Sequence, residues 1–392
     1  MVKFIHCSDL LLDEPFDLKS NLPEHIMQDV YRASFESFKN LVDDAIELKV
    51  DFILISGNLY SSKNRNIRAD KFIEQQFERL NQAHIFVYYI AGTEDSLSQK
   101  SYTKYPENVV VFSEDVQSYE LITHNGQRVF IHGFSYKEHT TYENKLDSYP
   151  VNEVDQSIHI GMLHGIHHKI KGFNATEFRI EDLNEKLYHY WALGHLPYKK
   201  RLNDLPEIHY PGKMQGACFS DTGRKGYLYV EGDHTTLDVK FIPTEHIRFE
   251  HVTLTLNETG KHAIYQDITD FKHSIRSSGK SMYQLKLVNP FETLIDSHLI
   301  QSILKQVQMY ESNESQFVWI DDIELEQTFE VHTLASEFNT EHLENEALFN
   351  QARVPIQQSS VERYADDISF DVHQTLLNHG ESRLKLMMRD ES

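Results

Sequence analysis

Apolar residues form short continuous runs near the start of the chain, at 2–7, 52–55 and 85–90. Runs of this length bounded by polar residues are typical of buried strands, and the stretches between them carry apolar residues at spacings of three and four, as helices do. The predicted inward positions are Tyr31, Phe35, Phe38, Val42 and Ala45 in the first helix, and Ile73, Phe77 and Leu80 in the second, at 67–80. This β-α-β-α-β order predicts a parallel sheet with right-handed crossovers.

Strands with shorter connections are predicted from about residue 109 onward. The positions are 109–112, 119–121, 128–132, 158–163, 190–193, 207–210, 225–230 and 237–241. Asn125-Gly126 is a hairpin signal between two of these strands. The polar stretch at 137–156 is expected to form a loop and a helix near the mouth of a site. The pattern as a whole predicts an α/β fold with two packed sheets flanked by helices.

The pattern changes after Pro243. Alternating strands are predicted at 251–256, 283–287 and 320–325, with helices at 267–275 and 294–310, the second presenting Leu299, Ile303, Val307 and Tyr310. These elements predict a small α+β unit. Residues 333–392 are expected to be helical, with an apolar stripe at Val361, Tyr364, Ile368, Val372 and Leu376. Such a tail either packs on its own domain or lays its apolar face in a partner's groove.

Polar side chains follow several of the predicted strands. Asp9 follows the first strand, Asn58 the second and Glu94 the third, while His164 and His195 end two later strands. In an open α/β sheet, ligands bind at the carboxyl ends of the strands, so these side chains are expected to meet at one rim. Carboxylate and imidazole groups gathered there indicate a metal site.

Taken in order, these stretches resemble the calcineurin-like metallophosphoesterases over about residues 1–245. That family's pattern runs Asp-x-His, Gly-Asp, Gly-Asn-His-Asp, a lone His after a strand, and Gly-His-x-His. The closer resemblance is to the SbcD type of DNA-repair exonuclease subunit, in its YhaO-like bacterial branch. Three further stretches are similar to family motifs: Leu12-Asp13-Glu14-Pro15-Phe16, Tyr210-Pro211-Gly212-Lys213-Met214-Gln215-Gly216 and Lys225-Gly226-Tyr227.

The resemblance implies both an architecture and a partner. It implies a four-layer α/β/β/α sandwich at 1–245, a small α+β capping domain at 246–332 and a helical C-terminal tail at 333–392. Members of the SbcD-like group work with a large coiled-coil ATPase of the SbcC type, which is the implied partner. They also dimerise through the phosphoesterase domain, and their capping domain helps to hold DNA over the metal ions.

Several positions depart from the family pattern. Leu11 and Pro197 replace histidines, Asn58 replaces the bridging aspartate, and Thr93-Glu94 replaces Asn-His. Asp9, His164 and His195 keep the expected side chains. The resemblance therefore leaves one ion with Asp9 and Asn58, and the other with His164, His195, the Asn58 amide oxygen and the Thr93 hydroxyl. Glu94 stands where the family places the histidine that assists the leaving group.

Three hypotheses follow from these departures. The first is a non-catalytic or weakly active subunit without metal that works with an SbcC-like ATPase. The second is a phosphodiesterase or DNA exonuclease with a single manganese or zinc ion held by His164, His195 and Asp9, with Glu94 as an acid. The third is a metal-independent module that binds nucleic acid or a nucleotide. A replacement metal site formed by His164, His167 and His168 would require these residues to lie on a helix.

The charge of the chain bears on its partners. The net charge is −22, with 60 acidic residues against 38 basic ones, whereas DNA-binding proteins usually present a basic face. Strong DNA binding by this chain alone is therefore not expected, although Tyr198 and Lys199-Lys200-Arg201 could contact a phosphate backbone. Two cysteines indicate no disulfide framework, and no apolar run is long enough for a membrane span or a signal peptide, so a reducing cytoplasm is expected.

Overall fold

The computed structural model of the 392-residue chain describes residues 1–327, apart from 13, 20, 62–65, 100–103, 139–143, 154–155, 173–174 and 292. Residues 1–327 form one compact unit. The predicted helical tail at 333–392 lies outside the described residues, and the predicted domain boundaries remain predictions. Within the described part of the chain, no helix is both long and apolar enough to cross a membrane.

The described elements alternate between strands and helices at both ends of the unit. In chain order they are β1 (Val2–Cys7), α1 (Glu24–Leu48), β2 (Phe52–Ser56), α2 (Ile67–Gln82), β3 (Phe86–Ile90), β4 (Val109–Val111), β5 (Gln117–Ile122), β6 (Arg128–Gly133), β7 (Ile158–His167), β8 (Thr176–Phe178), α3 (Ile180–Asn184), β9 (Tyr190–Gly194), β10 (Lys200–Asp204), β11 (Glu207–Tyr210), β12 (Gly226–Gly232), β13 (Leu237–Pro243), β14 (Arg248–Thr255), α4 (Lys261–Ile275), β15 (Ser281–Asn289), α5 (Ser297–Glu311) and β16 (Val318–Gln327).

Two large sheets form the body of the molecule, which confirms the predicted α/β sandwich. The first has the order β13-β12-β1-β2-β3-β4, with β1 to β4 parallel, and the second has the order β10-β11-β9-β7-β6-β5, with β8 paired to β7. One apolar cluster lies between the sheets and includes Phe4, Phe52 and Ile160. A second cluster packs α1 and α2 on the outside of the first sheet.

The outer layer on the second sheet is thin. It consists of the short helix α3, a 3-10 turn at Leu146–Ser148 and irregular chain that buries Trp191 and Tyr149. The helix predicted within 137–156 is therefore wrong for the described residues, which contain only this turn. Strand β10 was not predicted, because its sequence, Lys-Arg-Leu-Asn-Asp, has one apolar residue and resembles a loop when the pairing with β11 is unknown.

The third sheet is a small parallel unit of β14, β15 and β16, covered on one face by α4 and α5. The α+β character predicted after Pro243 is confirmed. Tyr310, however, is 60% exposed, so its predicted inward position is wrong. The neighbouring residue Glu311 points inward instead. Its buried carboxylate pairs with Lys272 at 2.7 Å and with Arg276 at 2.7 Å.

The other face of this small sheet packs against the first turns of α1. Ile26, Val30 and Ala33 of α1 contact the cluster formed by Phe249 and Trp319. Because these turns face the small sheet rather than the first large sheet, the apolar stripe of α1 is rotated at its start. Tyr31 is consequently 61% exposed, contrary to its predicted inward position.

The two large sheets approach each other closely where β2 and β9 end. A Cβ atom placed on Gly194 would lie 1.7 Å from the carbonyl oxygen of Ser56. The Ser56 hydroxyl also donates to the Ala192 carbonyl oxygen at 3.0 Å, across the two sheets. Only glycine allows this approach, and it sets the position of the next residue, His195.

We predict that Gly194→Ala destabilises the protein by on the order of 3 kcal/mol, because the added methyl group would force the sheets apart. Gly260→Ala is the matched control: Gly260 is the N-cap of α4, in open space at a negative φ, so the loss should stay within about 1 kcal/mol. Urea unfolding of both variants measures the difference. Equal stability of the two variants would contradict the close approach described here.

Candidate functional site

A cleft of 460 Å³ opens at the carboxyl ends of β1, β2, β3 and β9. The lining residues are Asp9, Leu11, Glu14, Pro15, Asp17, Asn58, Ser61, Thr93, Glu94, His195, Pro197, Lys213, Ala217, Cys218 and Asp221. The expectation that polar residues at the strand ends meet at one rim agrees with this arrangement. Leu11 and Pro197, which stand where the family pattern has histidines, line the same cleft.

Asp95 holds the loops after β2 and β3 together. Its buried carboxylate accepts hydrogen bonds from the backbone N–H groups of Asn58 at 3.1 Å, Leu59 at 2.5 Å and Gly92 at 2.6 Å. The Tyr89 hydroxyl donates a fourth at 2.5 Å. Burial raises the pKa of Asp95, and these four donors oppose the shift. The role of Asp95 in the cleft is therefore structural.

Asn58 and Asp9 form the centre of the cleft floor. Asn58 Nδ2 donates to Asp9 Oδ1 at 2.7 Å, and Asn58 Oδ1 accepts the Glu94 N–H at 2.9 Å. The second oxygen of Asp9, Oδ2, accepts the backbone N–H of His195 at 3.0 Å. Both side chains are buried, at 3% and 4% exposure. Each oxygen of these two side chains therefore already accepts a hydrogen bond within the protein.

His164 and His195 lie side by side above Asp9. His164 Nδ1 donates to the Ser56 carbonyl oxygen at 2.9 Å, which fixes the tautomer of the neutral ring and leaves Nε2 as an acceptor. Nε2 lies 3.2 Å from His195 Nδ1 and 3.4 Å from the Thr93 hydroxyl. Burial and the neighbouring His195 lower the pKa of His164 to about 3, so the ring is neutral. Burial lowers the pKa of His195 as well, and Asp9 opposes that shift.

The backbone is left-handed at four positions of this site. Asp9 has φ of 51°, Leu11 44°, Asn58 57° and His195 99°. Non-glycine residues in this region cost on the order of 1 kcal/mol each and persist where the surroundings impose them. The chain therefore turns sharply at each of these lining positions, including Leu11, whose side chain cannot bind a metal ion.

The candidate acid Glu94 lines the cleft and is partly exposed. Its backbone carbonyl accepts Gln99 Nε2 at 2.7 Å, and its N–H is the donor to Asn58. These contacts fix the loop. The role of Glu94 as an acid remains a prediction.

A lysine-centred cluster on the opposite rim was not predicted. Lys213 Nζ donates to Glu14 Oε2 at 3.1 Å and to Asp221 Oδ2 at 2.9 Å. Both carboxylates hold the pKa of Lys213 well above its usual value, against the effect of burial. Glu14 and Lys213 belong to two of the stretches that resemble family motifs, and their opposite charges were the available signal.

The proposed nucleic-acid contacts lie on β10 and just before it. Arg201 is paired with Glu207 at 2.6 Å and Asp204 at 3.0 Å, and the Lys199 ammonium lies 4.4 Å from the centre of the Phe241 ring. Tyr198 is 44% exposed. Lys200, partly exposed, begins the strand. Because the charge of Arg201 is matched by two carboxylates, it contributes little net attraction for a phosphate backbone.

His167 and His168 do not form a replacement metal site with His164. Strand β7 continues three residues past His164 to His167, because its end pairs with β8. On a strand, spacings of three and four do not place side chains together as they would on a helix. The rings of His167 and His168 contact each other, with centroids 4.5 Å apart.

The residues of the cleft do not fit a two-metal centre. Leu11 and Pro197 offer no ligand atom, and the bridging position holds a neutral amide whose NH₂ group faces Asp9. No three His, Cys, Asp or Glu side chains of the described residues form a cluster suited to a metal ion. Two cations at the short separation of a dinuclear site need an anionic bridge, and Asn58 cannot provide one.

Comparisons with known proteins identify relatives of this chain. An uncharacterized metallophosphoesterase of Bacillus subtilis, YhaO, is 33% identical over 326 residues, which cover 81% of this chain and 79% of YhaO. The DNA double-strand break repair protein Mre11 of Methanocaldococcus jannaschii is 24% identical over 231 residues, which cover 56% of this chain and 62% of that protein. The Mre11 protein of Sulfurisphaera tokodaii is 27% identical over 178 residues, 43% of each chain.

One solved structure aligns with part of the chain. A dimetal phosphatase from Danio rerio is a solved structure that aligns with 61% of this chain and 95% of its own, at 12% identity and a TM-score of 0.38. A TM-score below 0.5 does not establish a common fold. No model of a protein family matches the chain.

We predict that stability falls as the pH is lowered from 7 to 5, in part because His6 and His164 are buried as neutral rings. Burial lowers the pKa of each to about 3, whereas the unfolded chain binds protons near 6.5. The free energy of unfolding that each neutral ring contributes is therefore fully present above pH 6.5 and decreases toward pH 3. At pH 5 the loss is about 2 kcal/mol per histidine relative to neutral pH. Urea unfolding across this range measures the slope.

Two variants separate this effect from general acid denaturation. His6→Gln should reduce the slope, because an amide at this position does not titrate. His298→Gln, at an exposed helix position, should leave the slope unchanged. An identical slope in the wild type and His6→Gln would contradict the assignment.

Proposed function

The chain belongs to the calcineurin-like metallophosphoesterases, and we propose that it is a member whose two-metal centre is lost, so that it acts as a non-catalytic subunit. The observation that carries this proposal is the floor of the cleft. There Asn58 donates to Asp9 at the bridging position, and Leu11 and Pro197 stand where two further ligands would be required. A two-metal phosphodiesterase polarises the phosphate and activates water through both ions, and this cleft lacks the groups to hold them.

The charge of the cleft supports the same proposal. Among the described lining residues, five carboxyl groups, of Asp9, Glu14, Asp17, Glu94 and Asp221, accompany a single ammonium group, of Lys213. Without divalent ions, this surface repels a phosphodiester. The net charge of −22 adds a long-range repulsion of DNA. A module that binds nucleic acid in this cleft without metal is therefore the less favoured function.

We extend the proposal to a partner, a coiled-coil ATPase of the SbcC type. The support is the resemblance to SbcD-type subunits together with the similarity to two proteins named for DNA double-strand break repair. In this assembly the partner would supply the basic surface for DNA, and this chain would supply a structural scaffold. Self-association through the phosphoesterase domain remains a prediction from the same resemblance.

One observation favours the single-metal enzyme as a second candidate. His164 Nε2 and His195 Nδ1 lie 3.2 Å apart, close to the separation of two imidazole ligands on one zinc ion, roughly 3.4 Å for tetrahedral bonds. This candidate also requires Asp9 as a third ligand, although both Asp9 oxygens already accept hydrogen bonds and no three such side chains of the described residues form a metal-binding cluster. This candidate differs from the first in requiring metal-dependent hydrolysis by the unaltered chain.

Restoring the family side chains tests the proposal. The variant carries Leu11→His, Asn58→Asp, Thr93→Asn, Glu94→His and Pro197→His. With manganese, we expect it to hydrolyse an aromatic phosphodiester or a DNA end at least roughly 100-fold faster than the wild type, because the metal ligands and the leaving-group histidine return together. Initial rates with and without EDTA measure the gain.

Adding His164→Ala to the restored variant is the control, and it should abolish the gained activity. The wild type is expected to show no hydrolysis above the background of the buffer with manganese. Manganese-dependent hydrolysis by the wild type that disappears on His164→Ala would overturn the proposal in favour of the single-metal enzyme.

A further inference from the structure

The Asn58 side chain links the loops that follow β1 and β3. Its Nδ2 donates to Asp9 at 2.7 Å, while its Oδ1 accepts the Glu94 N–H at 2.9 Å. We infer that this amide replaces the cross-link which a bridging carboxylate and its metal ions form in a two-metal phosphoesterase, so that the cleft keeps its shape without metal. Asn58 is then a positioning residue for the cleft rather than the remnant of a metal ligand.

The chemistry of the amide explains why asparagine fits here and aspartate does not. A carboxamide offers both a donor and an acceptor, whereas a carboxylate offers acceptors alone. An aspartate at position 58 could still accept the Glu94 N–H, but it would place a second carboxylate against Asp9 at hydrogen-bond distance. Both positions are buried, so two like charges there require a bound cation or a proton.

The surroundings fix the orientation of the amide. If the Asn58 amide were flipped, its oxygen would face the Asp9 carboxylate and its NH₂ group would face the Glu94 N–H, and neither contact is a hydrogen bond. Gly92 leaves the space that the amide occupies, because a Cβ atom there would lie 2.4 Å from Asn58 Oδ1. Independently of the side chain, the backbone N–H of Asn58 donates to Asp95 Oδ1 at 3.1 Å.

A second internal cross-link acts on the other rim of the cleft. The Lys213 ammonium joins Glu14 at 3.1 Å and Asp221 at 2.9 Å. This group is a covalently attached cation between two loops. The Asn58 amide and the Lys213 ammonium thus join the loops around the cleft through side chains of the protein itself.

The inference rests on the same disagreement with a two-metal centre as the proposed function, but the two can fail separately. Catalysis by the wild type would contradict the proposed function. The cross-link is tested by thermal stability, which needs no substrate.

The test compares the melting temperatures of the wild type and Asn58→Asp in EDTA and across a manganese titration to several millimolar. We expect Asn58→Asp to melt about 2–4 °C or more below the wild type in EDTA, because two buried carboxylates then face each other. Manganese should raise its melting temperature toward the wild-type value. The melting temperature of the wild type should be the same in EDTA and in manganese.

A double variant keeps the test decisive if Asn58→Asp alone does not fold. Asp9→Asn combined with Asn58→Asp exchanges the two side chains and can restore all three hydrogen bonds: the amide at position 9 accepts from the His195 N–H and donates to position 58, which accepts from Glu94. We expect this variant to recover most of the lost melting temperature in EDTA and to be insensitive to manganese.

The control variant is Asn257→Asp. Asn257 Nδ2 donates to Asp267 Oδ1 at 2.7 Å, the same bond at the same distance, but on the surface. Because water screens the two charges there, Asn257→Asp should change the melting temperature by less than Asn58→Asp and should show no manganese response beyond that of the wild type.

Two results would overturn the inference. In the first, the difference between the melting temperatures in manganese and in EDTA is as large for the wild type as for Asn58→Asp. In the second, the exchanged double variant is as unstable in EDTA as Asn58→Asp alone, which would mean that the hydrogen-bond pattern does not hold the cleft.

Discussion

The cleft depends on the buried carboxylate of Asp95 and the four hydrogen bonds that it accepts. Three of the donors are backbone N–H groups after β2 and β3, so one side chain fixes the path of both loops. A buried carboxylate is stable only when donors of this kind replace its water. Once the backbone at position 58 is fixed, its side chain points at Asp9. Protein groups alone therefore fix both loops of the cleft.

This separation between scaffold and chemistry runs through the whole site. The left-handed backbone at Asp9, Leu11, Asn58 and His195 and the contact of Gly194 with Ser56 are geometric features that aim side chains into the cleft. Leu11 and Asn58 share this backbone geometry with Asp9 and His195, although their side chains differ from the family pattern. Similarity to metallophosphoesterases thus indicates the fold of this protein. The function of the cleft follows from its own amide, imidazole and carboxyl groups.

Much of the fold was predictable from the sequence, because apolar runs and helical spacing report burial directly. The strands around Ile53 and Ile160 are examples. The errors at Tyr31 and Tyr310 arose where a neighbouring element decides which face is inward: the small sheet for α1, and the Lys272–Glu311 ion pair for α5. In the site, the resemblance located Asp9, Asn58, His164 and His195. The direction of the Asn58 amide and the pairing of Lys213 with Glu14 require three-dimensional contacts that no spacing encodes.

We propose that this cleft is held by its own side chains and does not take up metal ions. Calorimetric titration of the purified chain with manganese, together with elemental analysis of the protein as isolated, tests it most directly. We expect no stoichiometric metal and no saturable heat at millimolar manganese. Reproducible binding of one or two ions per chain, lost on His164→Ala, would contradict it.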